Sequence, residues 1–210
     1  MSLLTRHGLA AYERQLAFAE QVGDLPWLLR QEDRSLSLGD RHEFPAQLLG
    51  SESESSHTWL WAWANTTVSQ AFAERALDAR SIGEKQGIDV LVAPQFNLDR
   101  VGSAHFLAMA TCGALGSGPY YRCPYDNGAA FVMIDVPPLM RPGGDLPQRL
   151  NHFLLTAIVD LPMLNSRRAI EGYLADIMVA TNQVQGGLQP EDGPMLQFDD
   201  QDRLIGVGDR

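Results

Sequence analysis

Between Thr58 and Asn65 the chain reads Thr58-Trp59-Leu60-Trp61-Ala62-Trp63-Ala64-Asn65. Side chains of an extended strand alternate between its two faces, so this stretch predicts Trp59, Trp61 and Trp63 on one face and Leu60, Ala62 and Ala64 on the other. Three indoles on one face form an apolar surface too large to leave in water, so the strand must belong to a covered sheet. Two uses of that face fit the pattern. It is core beneath a helix, or it is one wall of a ligand groove, with Ala62 and Ala64 leaving space on the opposite face.

Periodicity along the chain predicts the neighbours of this strand. Residues 4–22 place Leu9, Tyr12, Leu16 and Ala19 at helical spacing, and Gly23 follows as a stop. Trp27-Leu28-Leu29-Arg30 and Leu36-Ser37-Leu38, separated by a polar turn, read as a short hairpin, with a third strand over Glu43 to Leu49 and an acidic, serine-rich exposed loop from Ser51 to Ser56. Thr67 and Gln70 have capping-box spacing ahead of a helix reaching Gln86. From His105 to Leu115 the chain is apolar almost all round, the pattern of a helix covered on several sides. Asp126-Asn127-Gly128 between Tyr120–Cys123 and Ala130–Ile134 is a hairpin signal, because Asn-Gly tolerates positive φ.

Beyond Ile134, prolines and Gly143-Gly144 mark a linker over 137–147. Leu150, Phe153, Leu154, Ala157, Ile158 and Leu161 then repeat at helical spacing, and Ile170, Tyr173, Leu174, Ile177 and Thr181 do so again after Pro162. Met195–Phe198 and Leu204–Val207 flank an Asp-rich turn and read as a terminal hairpin. The expected class is α+β: an antiparallel sheet of hairpins packed against helices, with an apolar central helix and a C-terminal helical hairpin. The expected organisation is an α+β domain over 1–136, a Pro/Gly linker over 137–147, and a helical plus β-hairpin over 148–210 packed on the same core.

Charge narrows the function. The 210 residues carry a formal net charge of −10, and counting from Leu161 onward gives −4 of it. Nucleic-acid binders need clustered Lys and Arg to displace phosphate counterions, whereas here the sole close cationic pair is Arg167-Arg168, so nucleic acid is not an expected partner. No apolar run reaches the roughly 20 residues of a spanning helix. The start of the chain lacks the basic region, apolar run and cleavage site of a secretory signal, which makes a cytoplasmic location the expectation. The 2 cysteines, Cys112 and Cys123, are expected reduced and buried.

Chemical motifs are sparse. His105, Met109 and Cys112 share a stripe of the central helix, but His105 and Cys112 stand two turns apart, roughly 10 Å along the axis, too far to share one ion. His7, His42, His57 and His152 show no metal-ligand spacing, and no metal or cofactor is expected. Nucleophile-elbow, phosphate-loop and dinucleotide fingerprints are missing, and Asp199-Asp200-Gln201-Asp202 lacks the glycine and distal glutamate of a calcium loop. Glu52 and Glu54 sit in the serine-rich loop. Tyr121 and Arg122, beside Asp126, complete a set of ligand-binding candidates with Trp59, Trp61 and Trp63. Arg122 there is an anion ligand or an ion pair holding the hairpin.

The tryptophan strand, the stretch Ala79-Arg80-Ser81-Ile82-Gly83-Glu84-Lys85-Gln86-Gly87-Ile88, and Tyr121-Arg122 followed by an apolar strand ending near Ile134 together resemble a bacterial domain-of-unknown-function family, number 6882, over residues 10–136. The resemblance implies an α+β intracellular domain and supplies no catalytic residue. The leading expectation is a non-catalytic binding or protein-interaction domain for a basic protein partner or a small ligand, with an oligomer compatible. The alternative is an enzyme acting on a small anionic substrate near Trp61, Tyr121 and Arg122.

Overall fold

The apolar spacing of the first residues forms helix α1, Leu3–Val22, which Gly23 ends at φ +59° with its N–H on the Ala19 carbonyl at 3.0 Å. In this computed structural model the described residues are 3–116, 118–137, 142–161 and 165–208, without the side chains of 155 and 158. The chain divides into two compact units, one of Gln15–Arg141 and one of Met1–Arg14 with Pro142–Arg210, so the residues of α1 are apportioned between both.

The larger unit is built on a seven-stranded antiparallel sheet: β1 Trp27–Arg30, β2 Ser35–Leu38, β3 His42–Ser53, β4 Thr58–Trp61, β5 Gln95–Asn97, β6 Tyr120–Tyr125 and β7 Gly128–Ile134. β3 is its axis. Its first part pairs with β2, its last part with β4, and Ala46–Ser53 runs along β7. The serine-rich stretch therefore starts inside a strand rather than in a loop, because Ser51, Glu52 and Ser53 find partners on both β4 and β7.

The tryptophan strand is shorter than its alternation predicts. β4 stops at Trp61, opposite Gly50, and Ala62–Ala64 coil into a 3-10 turn closed by the Asn65 N–H on the Ala62 carbonyl at 3.2 Å. The physical reason lies in β3: a bulge follows Leu48, whose N–H is held by the Phe72 carbonyl at 2.8 Å, so no ladder awaits residues beyond Trp61.

Helix α2, Glu74–Gln86, begins later than the Thr67–Gln70 spacing suggests. Asn65 Oδ1 accepts from the Thr67 N–H and hydroxyl, and Ser69 accepts from the Phe72 N–H, so side chains hold residues 65–72 in turns. Gly87, at φ +67°, ends the helix with its N–H on Gly83. The short helix α3, Asp89–Val92, packs at Gly83, where a β-carbon would stand 2.6 Å from Leu91 Cβ. Helix α4, Ala104–Ala114, is capped by the Ser103 hydroxyl and buries Leu107 through Gly113 without a break, as its all-round apolar pattern predicts.

The smaller unit holds α5 Leu146–Asp160 and α6 Ser166–Asp176, started by side-chain caps from Asp145 and Asn165. Residues 138–141 of the expected linker and Pro162 lie outside the described residues. The second helix ends at Asp176, short of Thr181, where Met178 at φ +59° turns the chain into β8 Thr181–Val184. β9 Gly187–Pro190, β10 Met195–Phe198 and β11 Leu204–Gly208 complete a four-stranded meander in the order β11-β10-β9-β8. The terminal hairpin is β10–β11; β8–β9, turned by Gly186 at φ +77°, is an additional one.

This unit's core contains a buried charge pair. Arg149 of α5 donates to both carboxylate oxygens of Glu13, at 2.8 and 2.6 Å, and the Tyr173 hydroxyl of α6 donates to Glu13 Oε1 at 3.0 Å. Burial, followed by the charge of Glu13, raises the Tyr173 phenol well above its ordinary pKa, so it stays a donor. Nearby, Tyr12 donates to Asp160 and His7 Nδ1 lies 2.9 Å from Asp176.

Candidate functional site

Register assigns the candidates to faces before any distance is measured. Gly50, Trp61 and Phe131 are cross-strand partners, as are Glu52, Trp59 and Ala129, and Arg122 pairs with Phe131. Partners in an antiparallel ladder share a face, so Glu52, Trp59, Trp61, Tyr120, Arg122 and Phe131 all lie on one side of the larger sheet. Tyr121, between Tyr120 and Arg122, lies on the other.

On the shared face, Trp59 and Trp61 are 0% exposed. Their rings meet edge to face with centroids 5.4 Å apart, and Trp59 stands another 5.4 Å from Phe131. Gly50 makes this possible, since a β-carbon there would come within 2.5 Å of Trp59 Cζ2. Trp61 Nε1 donates to the Val90 carbonyl of α3 at 2.9 Å. Each buried indole removes about 200 Å² from water, worth at most about 5 kcal/mol of transfer free energy. Trp63, past the end of β4, belongs to a different place: half-buried beneath the Arg80 guanidinium, 4.7 Å from the ring centroid. The indole N–H groups of Trp59 and Trp63 find no hydrogen-bond partner among the described residues.

Arg122 is held by two glutamates of β3 and its turn. Nε donates to Glu52 Oε1 at 2.9 Å and Nη2 to Glu54 Oε1 at 2.7 Å. Burial works against its charge, but the bonds and charges of Glu52 and Glu54 prevail and raise its pKa. Asp126 is not its partner in these bonds. The Glu54 N–H also bonds to the Asn127 carbonyl at 3.0 Å, joining the tips of the β3–β4 and β6–β7 hairpins. One guanidinium facing two carboxylates leaves the spot with a net negative charge, a poor anion site.

His105, which sequence spacing places on a packing stripe with Met109 and Cys112, turns out to join this face. From the first turn of α4 its Nδ1 reaches the Tyr120 hydroxyl at 2.8 Å, and its ring stands perpendicular to Phe131 at 5.3 Å. Burial lowers its pKa, with Glu52 opposing and Arg122 reinforcing that effect, which favours the neutral imidazole near pH 7. Glu52, His105 and Tyr120 are the residues that sequence reasoning left out of the candidate set. The usable signal was alternation along β6, which joins Tyr120 rather than Tyr121 to Arg122.

On the opposite face, Tyr121 pairs with Val132 and Cys123 with Ala130. Burial, then the charges of Cys123 and Asp24, raises the Tyr121 phenol, and burial pushes the Cys123 thiol up to about 12. Among the described residues no group of three or more His, Cys, Asp or Glu side chains is placed to hold a metal ion, and no helix is long and apolar enough to cross a membrane.

No curated protein and no solved structure matches the chain. A family model does, over residues 2–137, and this interval contains every one of the candidates above: the tryptophan strand, the α2 stretch and the Tyr121-Arg122 strand. The chain belongs to the family of unknown function DUF6882.

Proposed function

We propose that this chain is a non-catalytic protein-interaction domain whose acidic surface engages a basic protein. The observation that carries the reading is the employment of the chemically able residues in holding the sheet together. Trp59 and Trp61 are sealed in the core, and Arg122 is neutralised by Glu52 and Glu54. An enzyme for a small anionic substrate at Trp61, Tyr121 and Arg122 has less support, since Tyr121 faces away from the other two and no positive charge remains to hold the anion.

What the surface does offer is carboxylates. The net charge of −10 attracts cationic partners over distances set by ionic strength, accelerating encounter more than it tightens the final complex. Glu191 and Asp200 are exposed in the smaller unit, whose segment from Leu161 onward carries −4 of that charge.

The test is capture on the immobilised chain from its native lysate at low and at high salt, followed by reconstitution with the purified captured protein. Support is a basic protein that binds one-to-one in purified form and whose affinity falls as salt rises. Binding that ignores salt, or a captured protein that is itself acidic, overturns the reading.

A further inference from the structure

Among the described residues the larger sheet ends in three edges, β1, β5 and β6, and two of them are guarded. β5 has only 3 residues. On β6 the Tyr120 N–H is taken by Gln15 Oε1 at 3.1 Å, and Pro124 has no N–H to offer. β1, Trp27-Leu28-Leu29-Arg30, has no such guard. The Gly39 N–H on the Pro26 carbonyl, at 2.7 Å, sets the alternation: Pro26, Leu28 and Arg30 turn their backbone groups toward β2, and Leu25, Trp27 and Leu29 turn theirs outward. Pro26 therefore blocks nothing on the outer side, and it holds Leu25 extended. No backbone hydrogen bond reaches the outward groups among the described residues.

The side chains along this edge are apolar and its two ends are acidic. Leu28 is 55% exposed, and Leu25, Trp27 and Leu29 are half-buried. At the start of the strand, exposed Asp24 and Asp40 outweigh Arg41; beyond its end, Glu32, Asp33 and Glu43 outweigh Arg30 and Arg34. Arg30 is moreover turned away from the edge, across β2: its Nη2 donates to Ser37 at 2.9 Å and to Glu43 at 2.6 Å, and its Nε lies 3.2 Å from Asp33. The side chains of Asp24 and Glu32 make no hydrogen bond or ion pair among the described residues, so an uncommitted carboxylate stands at each end.

We propose that β1 is the docking edge for an extended segment of a basic protein, apolar in its middle and carrying Lys or Arg at both ends, which adds as a further strand beside Leu25–Leu29. Its partner rests on the protein-interaction reading above; the place and the mode of binding are new. Outward backbone groups supply the ladder, the apolar side chains of the edge supply burial, and the carboxylates at its two ends select the flanks of the incoming strand. A second copy of this chain fits less well, because centring β1 antiparallel on Leu28 sets Asp24 opposite Glu32.

The probe is the end-blocked peptide Arg-Lys-Thr-Val-Thr-Val-Thr-Val-Lys-Arg, titrated into the full chain while amide hydrogen exchange is read residue by residue by NMR. The amides of Leu25, Trp27 and Leu29 should become protected, whereas those of Leu28 and Arg30, already bonded to β2, should change little. Binding should weaken as salt rises, and a peptide with Glu at the four terminal positions should bind at least roughly tenfold more weakly. Leu28→Lys guards the edge, and Leu29→Pro removes an outward N–H while leaving the β2 ladder intact; both should lose the peptide, with thermal melts by circular dichroism checking their fold. No protection of the outward amides at millimolar peptide overturns the proposal. So do equal binding of the Glu peptide, wild-type binding by folded Leu28→Lys, and protection that grows with the chain's own concentration in the absence of peptide, which would assign the edge to a second copy. A basic protein captured with undiminished affinity by Leu28→Lys sinks the edge and leaves the interaction reading standing. Peptide binding without any captured protein does the reverse.

Discussion

Replacing Arg149 by methionine isolates the energetics of the smaller unit's buried charge pair. The Glu13 side chain is 9% exposed and that of Arg149 is 22%, so neither ion has its full hydration in the folded state. Arg149→Met preserves much of the side-chain volume but removes both donors that Glu13 accepts, leaving it only the Tyr173 hydroxyl at 3.0 Å. Breaking such a pair from one side costs about 3–5 kcal/mol, and the residual exposure of Arg149 argues for the lower end, about 3 kcal/mol. At roughly 2–4 °C per kcal/mol for a chain of this size, the melting temperature should fall by roughly 6–12 °C. Glu13→Leu/Arg149→Met removes both ions and should return to within about 1 kcal/mol of wild type. Urea denaturation followed by far-ultraviolet circular dichroism reads both units. Tryptophan fluorescence alone does not suffice, because Trp27, Trp59, Trp61 and Trp63 all belong to the larger unit. The reasoning fails if Arg149→Met costs less than about 1 kcal/mol, or if the double variant is no more stable than the single one.

Three other expectations test the larger unit. Trp59→Ala should cost about 3–5 kcal/mol by opening a cavity against Trp61 and Phe131, whereas Trp63→Ala should cost less than half as much; equal losses in chemical denaturation would contradict the assignment of Trp63 to a separate, half-buried place. Because the folded pKa of His105 lies below its unfolded value near 6.5, the unfolded chain takes up that proton first, and stability falls as pH drops below that value toward the folded pKa. His105→Asn should flatten the wild-type loss over that window, and an unchanged difference between pH 7 and pH 5 would refute it. Cys123, buried and with its thiol pushed up to about 12, should resist a disulfide reagent at pH 8 in native protein and react at once in denaturant; rapid native labelling of a Cys112→Ala variant would count against this.

How much of this was legible in the sequence depends on which interaction decided each element. α4 and the β6–β7 hairpin were readable because their causes are local: an all-round apolar run, and Asn127 at φ +63° beside Gly128. The end of β4 was not. Alternation continued through Trp63, but the ladder partner did not, and the bulge in β3 that removed it involves residues far from the motif. The start of α2 was misplaced because Asn65 and Ser69 compete for backbone donors that a helix would otherwise use. The same contrast runs through the candidate site. Trp59 and Trp61 share a face by local geometry alone, while the grip of Glu52 and Glu54 on Arg122 depends on β3 and β6 flanking β7 from opposite sides. Tyr121 and Arg122, adjacent on one strand, were never able to share a face, and that much periodicity alone dictates.

Synthesis from the N-terminus gives the division of α1 a temporal consequence. Leu9, Ala10, Ala11 and Glu13 leave the ribosome well before Arg149, Leu150, Phe153 and Tyr173, yet all of them belong to the same unit. Through the translation of more than a hundred intervening residues, the start of the helix presents its apolar stripe without the residues that will cover it, while the rest of the same helix has its sheet partners much sooner, Phe18 against Phe44 among them. This early-made segment is thus buried late, and that interval is the part of its synthesis in which a chaperone or a wrong partner has most opportunity to bind it.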